Sequence, residues 1–247
     1  NINDLKFRYN KNYIHYDIDI CNSNSLKKIF SKFKKKIKLI IHAAAQPSHD
    51  WAYKNPHLDF KINAEGTLNL LENTKKYSSK AVFIFLSTNK VYGDSPNRIK
   101  YLNLNSRFEL KKKHKYFNGI NENFSIDNCV HSLFGVSKAY ADLICQEYGK
   151  NFKLSVGIFR AGCITGPKHK GAKLHGFLSY LVKTIIRGKK YNIIGYGGKQ
   201  VRDNIHSKDL IRCFWEFYKK PKKGEVYNIG GGRYSNCSVI EALNLVE

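Results

Sequence analysis

Short apolar runs alternate along this chain with segments of helical periodicity, and the least ordinary residues follow the apolar runs. Those two observations predict an α/β fold, a doubly wound parallel sheet buried on both faces, whose working residues lie beyond the carboxyl ends of its strands. A looser, Gly-punctuated pattern after Pro167 predicts a smaller α/β lobe closing over the sheet edge. The division expected is 1–165 for the sheet domain and 166–247 for the lobe, the second partly interleaved with the first. At 247 residues the chain can bury a sizeable core in that form.

The elements are expected in the following order. Tyr13–Ile18 reads as a strand, and Ser25–Lys35 as a lysine-rich helix with Leu26, Ile29, Phe30 and Phe33 on one face. Ile37–Ile41 is a short apolar run suited to a strand buried on both sides and ends at His42. Pro56–Tyr77 has continuous helical periodicity, with Pro near its start. Ala81–Ser87 is a second buried strand, Gly135–Phe152 a helix and Leu154–Phe159 a strand. In the lobe, helices are expected near His175–Arg187, Ser207–Lys219 and Ser238–Glu247, with strands at Tyr191–Ile194 and Val226–Ile229. The polar stretch Gly93–His131 is longer than an ordinary connection, as loops that wall a substrate site commonly are.

Composition narrows the function. The chain has 43 basic and 19 acidic residues, a net charge of +24. Such an excess suits polyanion binding, yet eight of the 43 are Arg and Lys comes with abundant Asn, Ile, Tyr and Phe. Those residues share A/T-rich codons, so a low-GC genome accounts for the mixture without nucleic acid as a partner. Short runs such as Lys34–Lys36 and Lys111–Lys113 read as solvated faces, although a positive field would help steer an anionic small molecule. The six cysteines, at 21, 129, 145, 163, 213 and 237, form no CxxC pair, so no metal site is expected. No apolar run approaches the roughly 20 residues of a membrane span, and residues 1–10 do not resemble a signal peptide. A cytoplasmic protein with free thiols is expected. With no Met anywhere and no Gly before Gly66, the chain reads as a piece lacking a first strand–loop–helix and truncated at its end as well.

The motifs follow the strands. Ser87-Thr88-Asn89-Lys90-Val91-Tyr92-Gly93-Asp94 resembles the SS/T-x-x-VYG motif of the extended short-chain dehydrogenase/reductases, the NAD-dependent epimerase/dehydratase family, whose fold is Rossmann-like. His42-Ala43-Ala44-Ala45-Gln46 resembles its HxAA loop, and the extension Gln46-Pro47-Ser48-His49-Asp50-Trp51 is similar to the CDP-paratose 2-epimerase-like group. Phe134-Gly135-Val136-Ser137-Lys138 stands where the family has YxxxK. Arg160–Pro167 resembles RxxNVYGP with Cys163 and Thr165 as replacements, Gly198–His206 resembles GxxxRDxxH, and Val226–Gly232 matches VYNIGGG. Missing is the GxxGxxG loop that holds a dinucleotide pyrophosphate. By itself this piece is therefore expected to be inactive and to bind NAD poorly.

The resemblance implies NAD as cofactor, contacted through Asp17 and Ile18 at the adenine and through Ala43, Ala44, Ala45, Gln46, Asn63 and Gly162. It also implies Thr88 at the sugar hydroxyl and Lys138 at the nicotinamide ribose. Substrate residues would be Asn89, Lys90, His175, Lys199 and Arg202, the last on the pyrophosphate; the bland alternative for Arg202 is an ion pair with Asp203 or Asp209. Dehydratases of this family place an acid pair after the Thr, and Asn89-Lys90 cannot supply it. Phe134 occupies the position of the usual Tyr base, leaving His49, His175, Lys90, Lys138 or a water relay as proton acceptor. For the His49–Asp50 pair, loop-ordering hydrogen bonds are the plainer expectation. The implied function is a nucleotide-sugar epimerase, homo-oligomeric when intact, acting at C2 of a CDP-dideoxyhexose. A non-catalytic NAD or nucleotide-sugar binder is the alternative that Phe134 raises, and a basic nucleic-acid binder the one that the charge raises.

Overall fold

Backbone pairing decides which apolar runs become strands. The computed structural model describes residues 2–172 and 176–246. It opens on a helix with no sequence forewarning, α1 (Ile2–Tyr9), followed by α2 (Ser23–Phe33), whose first turn is capped by Asn22 accepting from the Ser25 amide at 3.0 Å. Strand β1 (Leu39–His42) leads to α3 (His49–Lys54) and α4 (Pro56–Phe60), a single π turn at Lys61–Glu65, and α5 (Gly66–Tyr77). Next come β2 (Val82–Thr88), the two-residue strands β3 (Leu102–Asn103) and β4 (Phe108–Glu109), α6 (Leu133–Lys150), β5 (Ser155–Ala161) and β6 (Cys163–Thr165). The chain continues through α7 (Phe177–Ile186), β7 (Val201–His206), α8 (Ser207–Lys219), β8 (Lys223–Ile229), β9 (Asn236–Ser238) and α9 (Val239–Val246).

The central sheet is parallel throughout, in the order β1-β2-β5-β8. Alternation along β2 sends Phe83 and Phe85 to one face, where α2, α5 and α6 bring Phe30, Leu71 and Tyr148. Val82 and Ile84 go to the other, against Leu210, Phe214 and Phe217 of α8. Helices on both faces make this a doubly wound fold, as the sequence predicts. A second sheet, β6-β7-β9, extends from the carboxyl end of β5, with β6 and β7 parallel and β7 and β9 antiparallel. A third cluster joins α7 to α9 through Leu181, Val239 and Ala242. Among the described residues no helix is long and apolar enough to cross a membrane.

Five expectations are corrected. Tyr13–Ile18 has no regular structure and belongs to no ladder, since no strand among the described residues pairs with it. Tyr191–Ile194 likewise forms no strand; the Ile194 carbonyl is taken by the Gln200 side chain at 2.9 Å, and the flanking Gly188 and Gly195 turn the chain with positive φ. Among the described residues the first strand is an edge, with Ile41 45% exposed, rather than buried on both sides. Pro56–Tyr77 is interrupted by the π turn. Val226–Ile229, expected as a strand of the lobe, is instead part of Lys223–Ile229, the fourth strand of the central sheet.

The stretch Gly93–His131 is tied down at several points. Arg107 pairs with Glu241 at 3.2 Å and Arg233 with Glu109 at 2.9 Å, while Lys199 donates to Asn103 at 2.9 Å and Asn228 to the Ile120 carbonyl at 3.1 Å. Arg233 also lies over the Phe117 ring, 3.9 Å from its centroid. The long segment is thus a wall held to β8, to the turn before β7 and to the residues around β9 and α9.

Candidate active site

Strand β2 ends on two hydroxyls that face different partners. Ser87, buried, donates to Asp142 at 2.6 Å, whereas Thr88 is half-buried and accepts from the Lys90 amide at 3.2 Å. Thr88 thereby caps the 3₁₀ turn Asn89–Tyr92 and stays near the surface. That turn packs on the start of α6: a Cβ added to Gly135 would stand 3.2 Å from the Lys90 carbonyl.

Helix α6 begins with Ser132, whose Oγ accepts from the Gly135 amide at 3.1 Å. Phe134 and Lys138 follow at helical i, i+4 spacing and share a face. Phe134 is 7% exposed, and its ring is packed edge-on by His49, with centroids 4.9 Å apart at 69°. His49 Nδ1 lies 2.7 Å from Ser132 Oγ, so the His of the 49–50 pair does order its loop. Tyr140 points elsewhere and packs on Phe60. Lys138 is 4% exposed; its ammonium donates to the Leu86 carbonyl at 3.0 Å and sits 4.1 Å from the Phe85 ring centroid. Burial lowers its pKa to about 8, with Cys145, Asp142 and Asp59 opposing the shift.

At the end of β1, His42 is buried and its Nε2 meets Thr67 Oγ1 at 2.9 Å; burial, then the Lys138 charge, lowers its pKa to about 3. Thr67 donates to the Asn63 carbonyl at 2.6 Å, so His42 carries its proton on Nε2 and stays neutral. Ala43, Ala44 and Ala45 are exposed, a strip without bulky side chains. Gln46 turns inward, its amide donating to Asp59 at 2.7 Å and its backbone N–H to Asn63 at 2.9 Å. Asn63 donates in turn to the Gln46 carbonyl at 3.1 Å and to Ser137 at 3.0 Å. The π turn sets this residue inward and locks the alanine loop to the helix that carries Lys138.

Beyond the end of β5, Gly162 lets the chain pass close to β7: a Cβ there would be 2.8 Å from the Asp203 carbonyl. Lys90 is exposed at the surface, and partial desolvation of its ammonium, then the charge of Arg202, hold its pKa below the ordinary lysine value. Among the described residues Arg202 forms no ion pair with Asp203 or Asp209. Asp203 is occupied instead by the amides of Gly231 and Gly232, at 2.8 and 2.9 Å. Lys199, bonded to Asn103, belongs to the wall. Asp17 and Ile18 are exposed on the extended stretch before α2, and His175 lies outside the described residues. Among those residues no group of three or more His, Cys, Asp or Glu is placed to hold a metal.

Sequence reasoning missed the polar network behind the strand ends. Arg160, at the end of β5, clamps Asp142 through Nε–Oδ2 at 2.9 Å and Nη2–Oδ1 at 2.8 Å, and donates to the Tyr92 hydroxyl at 2.9 Å. Tyr92 donates on to Asn228 at 2.7 Å. The available signals were an Arg ending an apolar strand and an Asp four residues beyond Lys138 on the same helix.

A parallel doubly wound sheet, a hydroxyl at one strand end, a buried lysine on the next helix and a small-residue loop beside them define a dinucleotide-dependent enzyme class. Residues 2–230 match the NAD dependent epimerase/dehydratase family, and the chain belongs to it. Over 245 residues it is 32% identical to the CDP-paratose 2-epimerase of Salmonella typhi, covering 96% of this chain and 69% of that one. It is 33% identical over 219 residues to the dTDP-D-glucose 4,6-dehydratase of Dictyostelium discoideum, covering 89% of this chain but 46% of the relative, so it spans under half of that protein. The crystal structure of dTDP-glucose 4,6-dehydratase from Bacillus anthracis in complex with NAD superposes with a TM-score of 0.74 at 25% identity, covering 100% of this chain and 67% of that one. NAD is the cofactor of this family. The residues present fit part of such a ligand: Ala43–Ala45 leave an open, flat approach, and Lys138 brings a cation beneath the end of β2. No glycine-rich turn for its pyrophosphate precedes Gly66.

Proposed function

We propose that this chain comes from an NAD-dependent nucleotide-sugar epimerase that inverts C2 of a CDP-linked dideoxyhexose by transient oxidation, in the cytoplasm and as a homo-oligomer. The observation that carries the reading is the turn after Thr88. Elimination of water needs a carboxylic acid near the sugar, and Asn89 and Lys90 offer none. The 32% identity to a CDP-paratose 2-epimerase supports the same choice.

In this reading Thr88 binds the hydroxyl to be oxidised, at the solvent side of its strand end. Lys138 and the alanine strip hold the cofactor, with Asn63 and Gln46 fixing the strip. Held there, NAD would supply reversible hydride-acceptor chemistry at the sugar carbon. Lys90, in the turn after Thr88, and Arg202, on β7, are read as the two cations that meet the pyrophosphate. The buried Asp142–Arg160 pair sets the end of β2 against α6. The test is direct: the full-length protein with CDP-paratose, followed by proton NMR, should show inversion at C2 and no net change in NAD. Formation of a 4-keto-6-deoxy product from a nucleoside diphosphoglucose instead would make it a dehydratase.

A second reading, a non-catalytic binder, is favoured by Phe134, which offers no proton acceptor where the family has a phenol. It predicts tight nucleotide-sugar binding with no turnover in the same assay.

A further inference from the structure

We propose that a groove at the amino ends of β1 and β2 is a second anion site, one that takes a chain of three or more linked phosphates. The groove has a volume of about 690 Å³, within the range of small-ligand sites, and six lysines line it: Lys32, Lys34, Lys35, Lys36, Lys38 and Lys76. The sequence reads Lys34–Lys36 as a solvated run. The fold adds Lys32 from the last turn of α2, Lys38 from just before β1 and Lys76 from the last turn of α5. Val82, beside Leu39, and Thr88 stand at opposite ends of β2, about 20 Å apart along the strand. The groove is therefore remote from the candidate active site.

The turn that forms the groove is held in place. At the end of α2 the chain reverses through Lys34 at φ +45°, and Ser78 donates to the Lys34 carbonyl at 2.9 Å, which ties the turn to the end of α5. A positive φ is strained for a residue with a Cβ, and Gly would fit there without strain. The chain thus keeps a charged side chain where the backbone favours none.

The charge in the groove is not balanced from within. All six lysines are exposed, and among the described residues none of them forms an ion pair; the lysines that do are Lys75, Lys168 and Lys219. Lys32 donates to the neutral Tyr16 hydroxyl at 3.1 Å and Lys76 lies over the Tyr77 ring, so both keep their charge. The carbonyl ends of α2 and α5 bring about half a negative charge each, one unit against six. Lysine ammoniums are compact, hydrated point charges without the planar fork of Arg, which suits clustered phosphate oxygens better than a paired carboxylate. A single phosphate brings about two negative charges and leaves most of the excess standing. A chain of three or more comes close to balancing it. Inorganic polyphosphate and a nucleoside triphosphate both offer that chemistry, and only the second has a base to lay on the Tyr77 ring, which also lines the groove.

The experiment is calorimetry on the full-length protein, loaded with NAD so that the dinucleotide site is filled, and titrated with tripolyphosphate. One site is expected. The triple variant Lys35→Gln, Lys36→Gln, Lys38→Gln should weaken it by about tenfold or more, as loss of three exposed charge contacts would. The triple variant Lys111→Gln, Lys112→Gln, Lys113→Gln makes the same change in net charge elsewhere and should stay within about twofold of wild type. Arg202→Ala should also bind as wild type does. ATP binding more tightly than tripolyphosphate would assign the groove to a nucleoside triphosphate; equal or weaker binding would assign it to the inorganic chain. Equal losses in the two lysine triples would overturn the proposal, because net charge alone would then be responsible. Loss in Arg202→Ala would overturn it too, by placing the phosphates at the nucleotide-sugar site, as would no binding of tripolyphosphate by wild type. Each outcome stands apart from the epimerase reading, since no turnover is measured.

Discussion

Asp142 and Arg160 face each other through two parallel hydrogen bonds of 2.9 and 2.8 Å, at 1% and 5% exposure, directly behind the strand end that bears Ser87 and Thr88. The pair is the only contact of charge with charge in this part of the core among the described residues. Its geometry joins α6 to β5, and Ser87 extends it to β2.

Removing one partner leaves the other buried and unpaired. Asp142→Ala is therefore expected to destabilise the fold by about 3–5 kcal/mol, read as a fall in the urea midpoint at unchanged m-value. A cost under about 1 kcal/mol would mean that water reaches the Arg160 guanidinium.

Lys138 makes stability depend on pH in an unusual direction. Its folded-state pKa, lowered to about 8, lies below the ordinary 10.5. Between those values the unfolded chain holds the extra proton, so stability should rise as pH rises through that window. A shift of that size corresponds to about 3 kcal/mol at most. Denaturant unfolding between pH 7.5 and 10.5, at the ends of about that window, should show the rise in wild type and a flatter profile in Lys138→Met. Equal slopes in both proteins would remove Lys138 as the cause.

The elements that carry the candidate site were legible in the sequence because they hang on local patterns. An apolar run ends at Thr88 and a helical period carries Phe134 and Lys138, as the structure has them; the roles expected of those residues came from motif resemblance. The helix Ser207–Lys219 was legible to the residue, since its apolar stripe is strong. Non-local pairing was not. Whether Tyr13–Ile18 becomes a strand depends on a neighbour, which periodicity cannot report. The partnership of Asp142 with Arg160 spans a helix, a turn and a strand. The π turn at Asn63 shifts the helical phase by a fraction of a turn, too little to mark in a sequence that stays helical on both sides. The packing of α3 on α6, which sets the His49 ring on Phe134, is another non-local contact that no sequence pattern marks.

Helix α6 and strand β8 meet backbone to backbone. A Cβ added to Gly149 would lie 2.1 Å from the Gly224 amide nitrogen. Gly149→Ala should therefore cost several kcal/mol despite the better helix propensity of Ala. A melting temperature at or above wild type would show that the contact opens without penalty.

Arg202 and Lys90 should act on binding before chemistry. Arg202→Ala is expected to weaken the affinity for a nucleoside diphosphate sugar by about 1.5–3 kcal/mol, the range of a charge-assisted hydrogen bond, and to leave NAD affinity unchanged. The wild-type affinity should fall as salt rises, more steeply than that of the variant. Calorimetry at two salt concentrations decides it, and equal slopes would take Arg202 off the phosphate.

The fastening of residues 93–131 has a kinetic corollary. Arg107 reaches Glu241 on α9, Ser238 donates to the Ser106 carbonyl, and Arg233 reaches Glu109, so most of the wall's anchors lie within the last fifteen or so residues of the described chain. Detachment of the segment from Arg233 through α9 would release those anchors together rather than one at a time. The wall and the carboxyl-terminal turn should then open as one cooperative unit, with amide hydrogens of both exchanging at a common free energy below that of the central sheet. A substrate that touches only the wall would in that case slow exchange in α9, a helix it never meets.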